Sequence, residues 1–354
     1  MKGLVLSGGK GTRLRPLTYT GAKQLVPLAN KPVLFYVIED IVAAGITEIG
    51  IVVGDTADQI EAAVGDGSVF GCCVTYIRQD RPGGLAHAVR TARPFLRDDP
   101  FVMYLGDNLI QGGIASYAQR FCAAQDDAHL LLYRVPNPQE FGVVEVIDGQ
   151  IVALEEKPRV PRSDLALVGI YFFSAKIHAA TDAIAPSWRG ELEITDAIRE
   201  LMAAGGTAQP HILPGWWIDT GKMEDMLDAN RQVLCEISPR ILGAVGDECI
   251  IQGTVVVEAG ATVSHSTLRG PLIIGAGARI EHTYIGPFSA IGPGCIVRES
   301  EVEHTIVMER SQILDVPHRI EDSLIGRDVV LTRSHTKPRA YKLMLGDHSR
   351  VGIL

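Results

Sequence analysis

At 354 residues the chain is too long for one small core and suits two domains of ordinary size. Its 46% hydrophobic and 21% charged residues are near the globular average, while 37 glycines exceed the need of one compact enzyme domain and point to a glycine-periodic segment. A net charge of −9 excludes a general attraction for nucleic acid or anionic membranes, so a bound anion must meet a local basic cluster and the natural partner is a small molecule.

The predicted elements alternate from the start. Residues 2–7 (KGLVLS) read as a short buried strand, and 31–45 (KPVLFYVIEDIVAAG) carry apolar residues at 33, 34, 37, 38, 41 and 42, a helical stripe ended by Gly45. Strand EIGIVV (48–53), a helix near 56–64, a strand near 74–77, a helix over 85–93 and strand FVMYLGD (101–107) continue the rhythm. Such βαβ alternation predicts a Rossmann-like α/β domain with a mostly parallel, mixed sheet and helices on both faces. Past residue 128, HLLLYRV reads as a strand, VVEVIDGQIVALEEKP as a hairpin turning at Asp148-Gly149, and LVGIYFFS as a strand. Helices near 191–204 and 222–236 close a first domain at residues 1–238.

From residue 239 the period changes. Ile251, Val257, Val263, Ile274, Ile280, Ile285, Ile291 and Val297 recur at nearly six-residue intervals, with Gly253, Gly260, Gly275, Gly277, Gly286, Gly292 and Gly294 between them. Hexapeptide spacing with small residues at turns predicts a left-handed parallel β-helix over 239–354. Its open ends and apolar coil faces favour self-association, so a homo-oligomer is expected. The six cysteines show no CxxC spacing, and MKGLVLSGG is too short an apolar run for a signal peptide. A reduced, cytoplasmic protein with neither a transmembrane segment nor a zinc site is expected.

The stretch LSGGKGTRLRPL (6–17) raises the functional question. A strand running into Gly8, Gly9, Lys10, Gly11 and Thr12 lets the backbone pass close to a ligand, and Lys10 and Arg13 add charge, which suits a nucleoside triphosphate. A glycine-rich turn after a first strand is also an ordinary structural element. The dinucleotide fingerprint GxGxxG fails because Arg13-Leu14 stand where its third glycine belongs, and the GxxxxGK[ST] phosphate loop is absent.

GGKGTRLRPLT followed by AKQLVPLANKP resembles the signature of the sugar-nucleotide pyrophosphorylases, and the KQL form is similar to their glucose-1-phosphate thymidylyltransferase branch. The resemblance runs to about residue 236 through QDRPGGLAHA, LGDN, FGVVE, LEEKP, GIYFF, GELEITD and WIDTG. It implies attack of a sugar 1-phosphate on the α-phosphorus of a nucleoside triphosphate, with dTTP and glucose 1-phosphate as substrates and Mg²⁺ as cofactor. Two anionic reactants must be brought together, which calls for cations and positioning more than for a general base.

By the same resemblance Arg13 and Lys23 meet the triphosphate, and Lys157 holds the sugar phosphate. Asp107, which follows an apolar strand, and Asp219, which follows Trp216-Trp217-Ile218, are the metal carboxylates. Gln79 and Gly84 face the base, with Leu6 and Gln24 in the same pocket, and Gly8, Gly9, Gly11 and Thr12 line the phosphates. Glu156 accepts from sugar hydroxyls, Gly142 and Gly169 admit the hexose, and Asn108, Tyr171 and Glu193 are its neighbours. Phe141 replaces a frequent tyrosine, which either loosens sugar recognition or leaves a ring that only packs, and Arg15 replaces another and adds charge. Thymine and uracil share an imide edge, so the preference for dTTP rests on the resemblance. Open alternatives are a uridylyl- or guanylyltransferase, a bifunctional enzyme whose tail transfers acetyl groups with His265, His282, His304 or His335 as base, and a catalytically dead regulatory subunit.

Overall fold

The computed structural model describes residues 1–9, 11–19 and 21–334; Lys10, His335 and the rest of the predicted β-helix past 334 lie outside the described residues. Residues 1–9, 11–12, 21–26 and 32–221 form one compact unit, and 13–19, 27–31 and 222–334 form a second.

The first unit is built on strands β1 (Lys2–Ser7), β2 (Glu48–Val53), β3 (Cys73–Arg78), β4 (Phe101–Leu105), β5 (Asn108–Ile110), β6 (Ala128–Arg134), β7 (Gly142–Ile147), β8 (Gln150–Glu156), β9 (Leu165–Phe173), β10 (Ala208–Ile212) and β11 (Trp217–Asp219). Its helices are α1 (Val33–Ala43), α2 (Ala57–Val64), α3 (Leu85–Leu96), α4 (Ala115–Ala123), α5 (Ile177–Ala183) and α6 (Ile194–Ala203). The main sheet runs β8-β7-β9-β4-β1-β2-β3, and β6 pairs with both β9 and β10. Strands β1, β2, β3 and β4 are parallel, whereas β9 is antiparallel to β4, β6 and β7. This is the mixed, mostly parallel α/β sheet that the alternation predicts.

Side chains alternate across the sheet, which explains the unbroken apolar runs of strands covered on both faces. Leu4 and Leu6 join Met103, Leu130 and Phe173 under α3, α5 and α6. Val5 joins Ile51, Tyr104 and Phe172 under α1, α2 and α4. The hairpin turns where expected, because Asp148 and Gly149 both adopt positive φ (51° and 77°), as a two-residue turn of that hand requires. Helix α3 continues past Pro94 to Leu96, which is fully buried. Helices α4 and α5 and strand β10 (AQPHI) were not expected, since each is short and weakly patterned.

In the second unit three parallel sheets of short strands wrap a shared core, the layout of the left-handed β-helix predicted from the hexapeptide rhythm. Val257, Ile274, Ile291, Val307 and Ile325 stack in register on one side, and Val263, Ile280, Val297 and Ile313 on another. Gly260, Gly277 and Gly294 share one corner column at φ of 75°, 67° and 66°, and the column continues in Arg310 and Asp328, themselves ion-paired at 2.7 Å. Ile251 lies in the first coil with no coil before it and is 37% exposed. Helix α7 (Met223–Glu236) packs on this unit through Leu234, against Val256, Ile273 and Ala290. Asn230, fully buried, accepts from the backbone N–H of Ala29 at 2.8 Å and donates to the carbonyl of Phe288 at 2.9 Å. Of the tail histidines, His265 and His282 stack ring on ring at 4.7 Å, while His304 pairs with Asp322 at 2.6 Å.

A histidine relay ties β6 to β10. His129 lies 3.1 Å from Asp126, and its other ring nitrogen meets His211 at 3.0 Å, with Phe121 edge-on to His129. Burial, then the neighbouring His129, push the His211 pKa down to about 4. A base depressed on folding takes up its proton more readily in the unfolded chain, so it stabilises the fold above pH ~6.5 and loses that contribution as pH falls toward about 4. Denaturant titrations of the wild type and His211→Gln across this range should show the wild type losing stability more steeply with acid. Parallel pH profiles would contradict the relay.

Candidate active site

Gly8, Gln79 and Asp107 each follow the carboxyl end of a parallel strand, β1, β3 and β4 respectively, the side on which open α/β sheets bind ligands. Beyond β1 the chain passes through Gly8 and Gly9. A Cβ on Gly9 would stand 3.1 Å from Cε of Lys23 and 3.9 Å from the Gln24 amide nitrogen, and one on Gly8 would stand 3.4 Å from Oε1 of Gln79. These two glycines serve close approach; positive φ appears at Gly11 (61°) instead. Leu6 is the buried residue before Ser7, which ends β1. Gln24 is buried, and its amide oxygen has no hydrogen-bond partner among the described residues.

Gln79 follows β3 and donates from Nε2 toward His87 Nδ1 at 2.9 Å and the Gly84 carbonyl at 3.5 Å. Gly84 opens α3 at φ 97°, and a Cβ there would lie 2.5 Å from the Leu192 carbonyl oxygen, a position only glycine fits. Backbone bonds from Ala86 to Leu192 (3.1 Å) and from Leu192 to Gly83 (2.8 Å) tie this turn to the segment carrying Glu193.

A three-residue ribbon brings the backbone of Asp219 close to that of Asp107. Strand β5 pairs antiparallel with β11, placing Asp219 opposite Asn108, the neighbour of Asp107. The Asp107 carbonyl accepts from both the N–H (3.0 Å) and the hydroxyl (2.8 Å) of buried Thr220. Lys23 forms an ion pair with the Asp107 carboxylate, and the indole of Trp217 donates to Asn108 at 2.7 Å. Phe141 lies edge-on to Trp217 at 5.3 Å, so its ring packs where a tyrosine hydroxyl was weighed. Among the described residues no three or more His, Cys, Asp or Glu side chains form a ready-made metal cage.

Around Glu156 a second cluster forms. Thr195 donates to it at 3.4 Å, and Arg189 reaches Glu156 at 3.5 Å and both Glu191 and Glu193 at 3.4 Å. Burial, with the charge of Glu193 second, raises the Glu156 pKa; burial likewise raises that of Glu193, which accepts from Ser187 at 2.9 Å. Tyr171 is buried, and desolvation and the charge of Glu156 push its phenol far up. Gly142 and Gly169 carry no room for a side chain: a Cβ would lie 3.1 Å from Glu156 Oε2 and 2.5 Å from Leu105, respectively. Lys157 adopts φ 44° and donates its N–H to Phe141 at 3.0 Å, closing the β7–β8 hairpin.

Arg13 and Thr12 are exposed, and Arg13 belongs to the second unit, as does Arg15, whose guanidinium lies 4.9 Å from the Tyr19 ring. The sequence reading missed Arg189, His87, Trp217 and Thr220. His87 stands inside QDRPGGLAHA and Trp217 and Thr220 inside WIDTG, motifs already singled out, whereas Arg189 stands one residue before GELEITD.

Residues 2–236 match the nucleotidyl transferase family model. The chain belongs to the nucleotidyl transferase family. It is 55% identical over 354 residues to a glucose-1-phosphate thymidylyltransferase of Streptomyces griseus, covering all of this chain and 99% of the relative. A glucose-1-phosphate thymidylyltransferase of Streptomyces antibioticus is 54% identical over 355 residues, again covering 100% of this chain and 99% of the relative. A crystal structure of a Bacillus anthracis protein described as a glucose-1-phosphate thymidylyltransferase, in complex with sucrose, aligns at TM-score 0.63 and 34% identity over 67% of this chain and 96% of that one. The chain is therefore a nucleotidyltransferase enzyme, and a divalent cation is the cofactor type its family employs. No helix among the described residues is long and apolar enough to cross a membrane.

Proposed function

We propose that the chain is a glucose-1-phosphate thymidylyltransferase. An oxygen of the sugar 1-phosphate attacks the α-phosphorus of dTTP, the new O–P bond gives dTDP-glucose, and the bond to the β-phosphate breaks to release pyrophosphate. The observation that most supports this reading is the pairing of β5 with β11, which puts Asp219 opposite the neighbour of Asp107, with Lys23 ion-paired to Asp107 and close to the glycine turn at Gly9. The relatives over the full chain support the same substrates.

In this reading Lys23 and Arg13 bind the triphosphate and Lys157 the sugar phosphate, so two anions approach without mutual repulsion dominating. Gly8, Gly9, Gly11 and Thr12 line the phosphates; Leu6, Gln24, Gln79 and Gly84 hold the base. Glu156, Glu193, Asn108, Tyr171, Gly142 and Gly169 enclose the hexose. Two hard carboxylates are the donor number that Mg²⁺ commonly takes from protein, the remainder being phosphate oxygens and water, so Asp107 and Asp219 fit it. Bound there, the ion would supply neutralising charge to the phosphate oxygens. The catalytic domain is assigned to 1–238, in keeping with a family match that ends at 236. Six unpaired cysteines support a reducing, cytoplasmic setting. Exposed Ile241, Leu242 and Ile250 in the first β-helix coil support assembly into a homo-oligomer.

Pyrophosphate release measured with Mg²⁺ and glucose 1-phosphate, using dTTP, UTP, GTP, CTP and ATP in parallel, should show dTTP as the preferred donor. Equal or faster release with UTP would overturn the donor assignment, and none with any triphosphate would overturn the activity. Asp107→Asn and Asp219→Asn should each lower turnover at least about a hundredfold with the fold retained by circular dichroism, and near-normal turnover in both would refute the carboxylate assignment.

A further inference from the structure

The amide of Gln79 is held in one orientation by two acceptors. Its backbone is anchored by the N–H bond to Val53 at 3.0 Å, so the side chain starts from a fixed point at the end of β3. Nε2 then faces His87 Nδ1 at 2.9 Å and the Gly84 carbonyl at 3.5 Å, which accounts for both amide protons. Oε1 is turned the other way, toward the glycine turn, 3.4 Å from where a Gly8 Cβ would stand. The His87 ring lies over Gly83, where a Cβ would come within 2.7 Å of its Cγ, and its Nε2 lies 3.5 Å from Asp80 Oδ1. With Nδ1 accepting from Gln79, the imidazole proton sits on Nε2, on the Asp80 side.

We propose that His87 is a positioning residue that sets pyrimidine selectivity, by fixing the Gln79 amide with its oxygen toward the nucleotide. A carbonyl oxygen there accepts the N3–H of thymine or uracil and opposes the N3 lone pair of cytosine. An amide free to rotate would offer cytosine its NH₂ group instead, so the histidine converts an ambivalent side chain into an acceptor. The inference rests on the reading that Gln79 meets the base.

The test measures kcat and KM for dTTP and dCTP, and dTTP affinity by calorimetry, in His87→Leu, His87→Gln and Gln79→Leu. Loss of the acceptor in His87→Leu should raise the dTTP KM about fivefold to tenfold, leave kcat within about twofold, and lower the dTTP over dCTP preference, as removal of one hydrogen bond that orients a polar group does. His87→Gln, which restores an acceptor oxygen, should recover the dTTP KM and the preference. The proposal is overturned if His87→Leu leaves the preference intact while Gln79→Leu lowers it. It is equally overturned if both triphosphates weaken together without rescue by glutamine, which marks a packing role. Should Gln79→Leu also leave the preference unchanged, the assignment of Gln79 to the base fails first, and the His87 proposal falls with it.

Discussion

The constraint on which the candidate site depends is the short β5–β11 ribbon, which brings the chain at Asp219 next to the chain at Asp107. Asp107 and Asp219 are more than a hundred positions apart in the chain, yet the short ribbon of β5 and β11 sets them in adjacent register, and Thr220 clamps the Asp107 carbonyl with two hydrogen bonds. Carboxylates gathered in a partly buried place repel one another and are tolerated only with compensating cations. Lys23 provides one, delivered by the short helical turn Lys23–Leu25. In the proposed reading the site receives phosphates although it carries carboxylates, which is why a divalent cation, the cofactor type of the family, suits it.

The same logic recurs at the second cluster with a different solution. Glu156, Glu191 and Glu193 converge on one guanidinium, Arg189, whose planar fork serves several carboxylates at once. Burial raises Glu156 and Glu193 above the usual carboxylate range, so the repulsion is relieved partly by Arg189 and partly by easier protonation. Carboxylates poised in this way are good acceptors for neutral hydroxyls. Around them, glycines at 142 and 169 keep the wall free of side chains. The Gly83–Leu192 backbone bond ties the segment of Glu193 to the turn that carries Gly84.

Much of this was legible in the sequence because it is carried by periodicity and by glycine. The βαβ alternation, the Asp148-Gly149 turn and the hexapeptide rhythm each follow from local backbone preference, and the structure returns them with boundaries shifted by a few residues. Val257, Val263, Ile274, Ile280, Ile285, Ile291 and Val297 of the rhythm line the β-helix core, and Ile251 departs from it in a first coil that no other coil precedes. Helices α4 and α5 and strand β10 were not legible, since they are held by tertiary packing and by the His129–His211 contact, not by a strong pattern of their own. At the site, motif residues such as Lys23, Asp107 and Gln24 could be named, but not the partners that orient them. Nothing in the spacing of Trp217 and Asn108 reveals that one side chain holds the other, because that contact exists only after distant strands have paired, and the contact of His87 with Gln79 depends on how the loop between β3 and α3 folds back.

The most direct measurement is the anomalous scattering of Mn²⁺ in crystals of the enzyme grown with dTTP, which locates the ion independently of any assumption about its ligands. One strong peak bridging the carboxylates of Asp107 and Asp219 and the phosphates of the nucleotide is expected, with Lys23 displaced from Asp107 or sharing it. A nucleotide bound at the glycine turn with manganese elsewhere, or with the two carboxylates facing apart, would contradict the view that the β5–β11 ribbon exists to build a cation site.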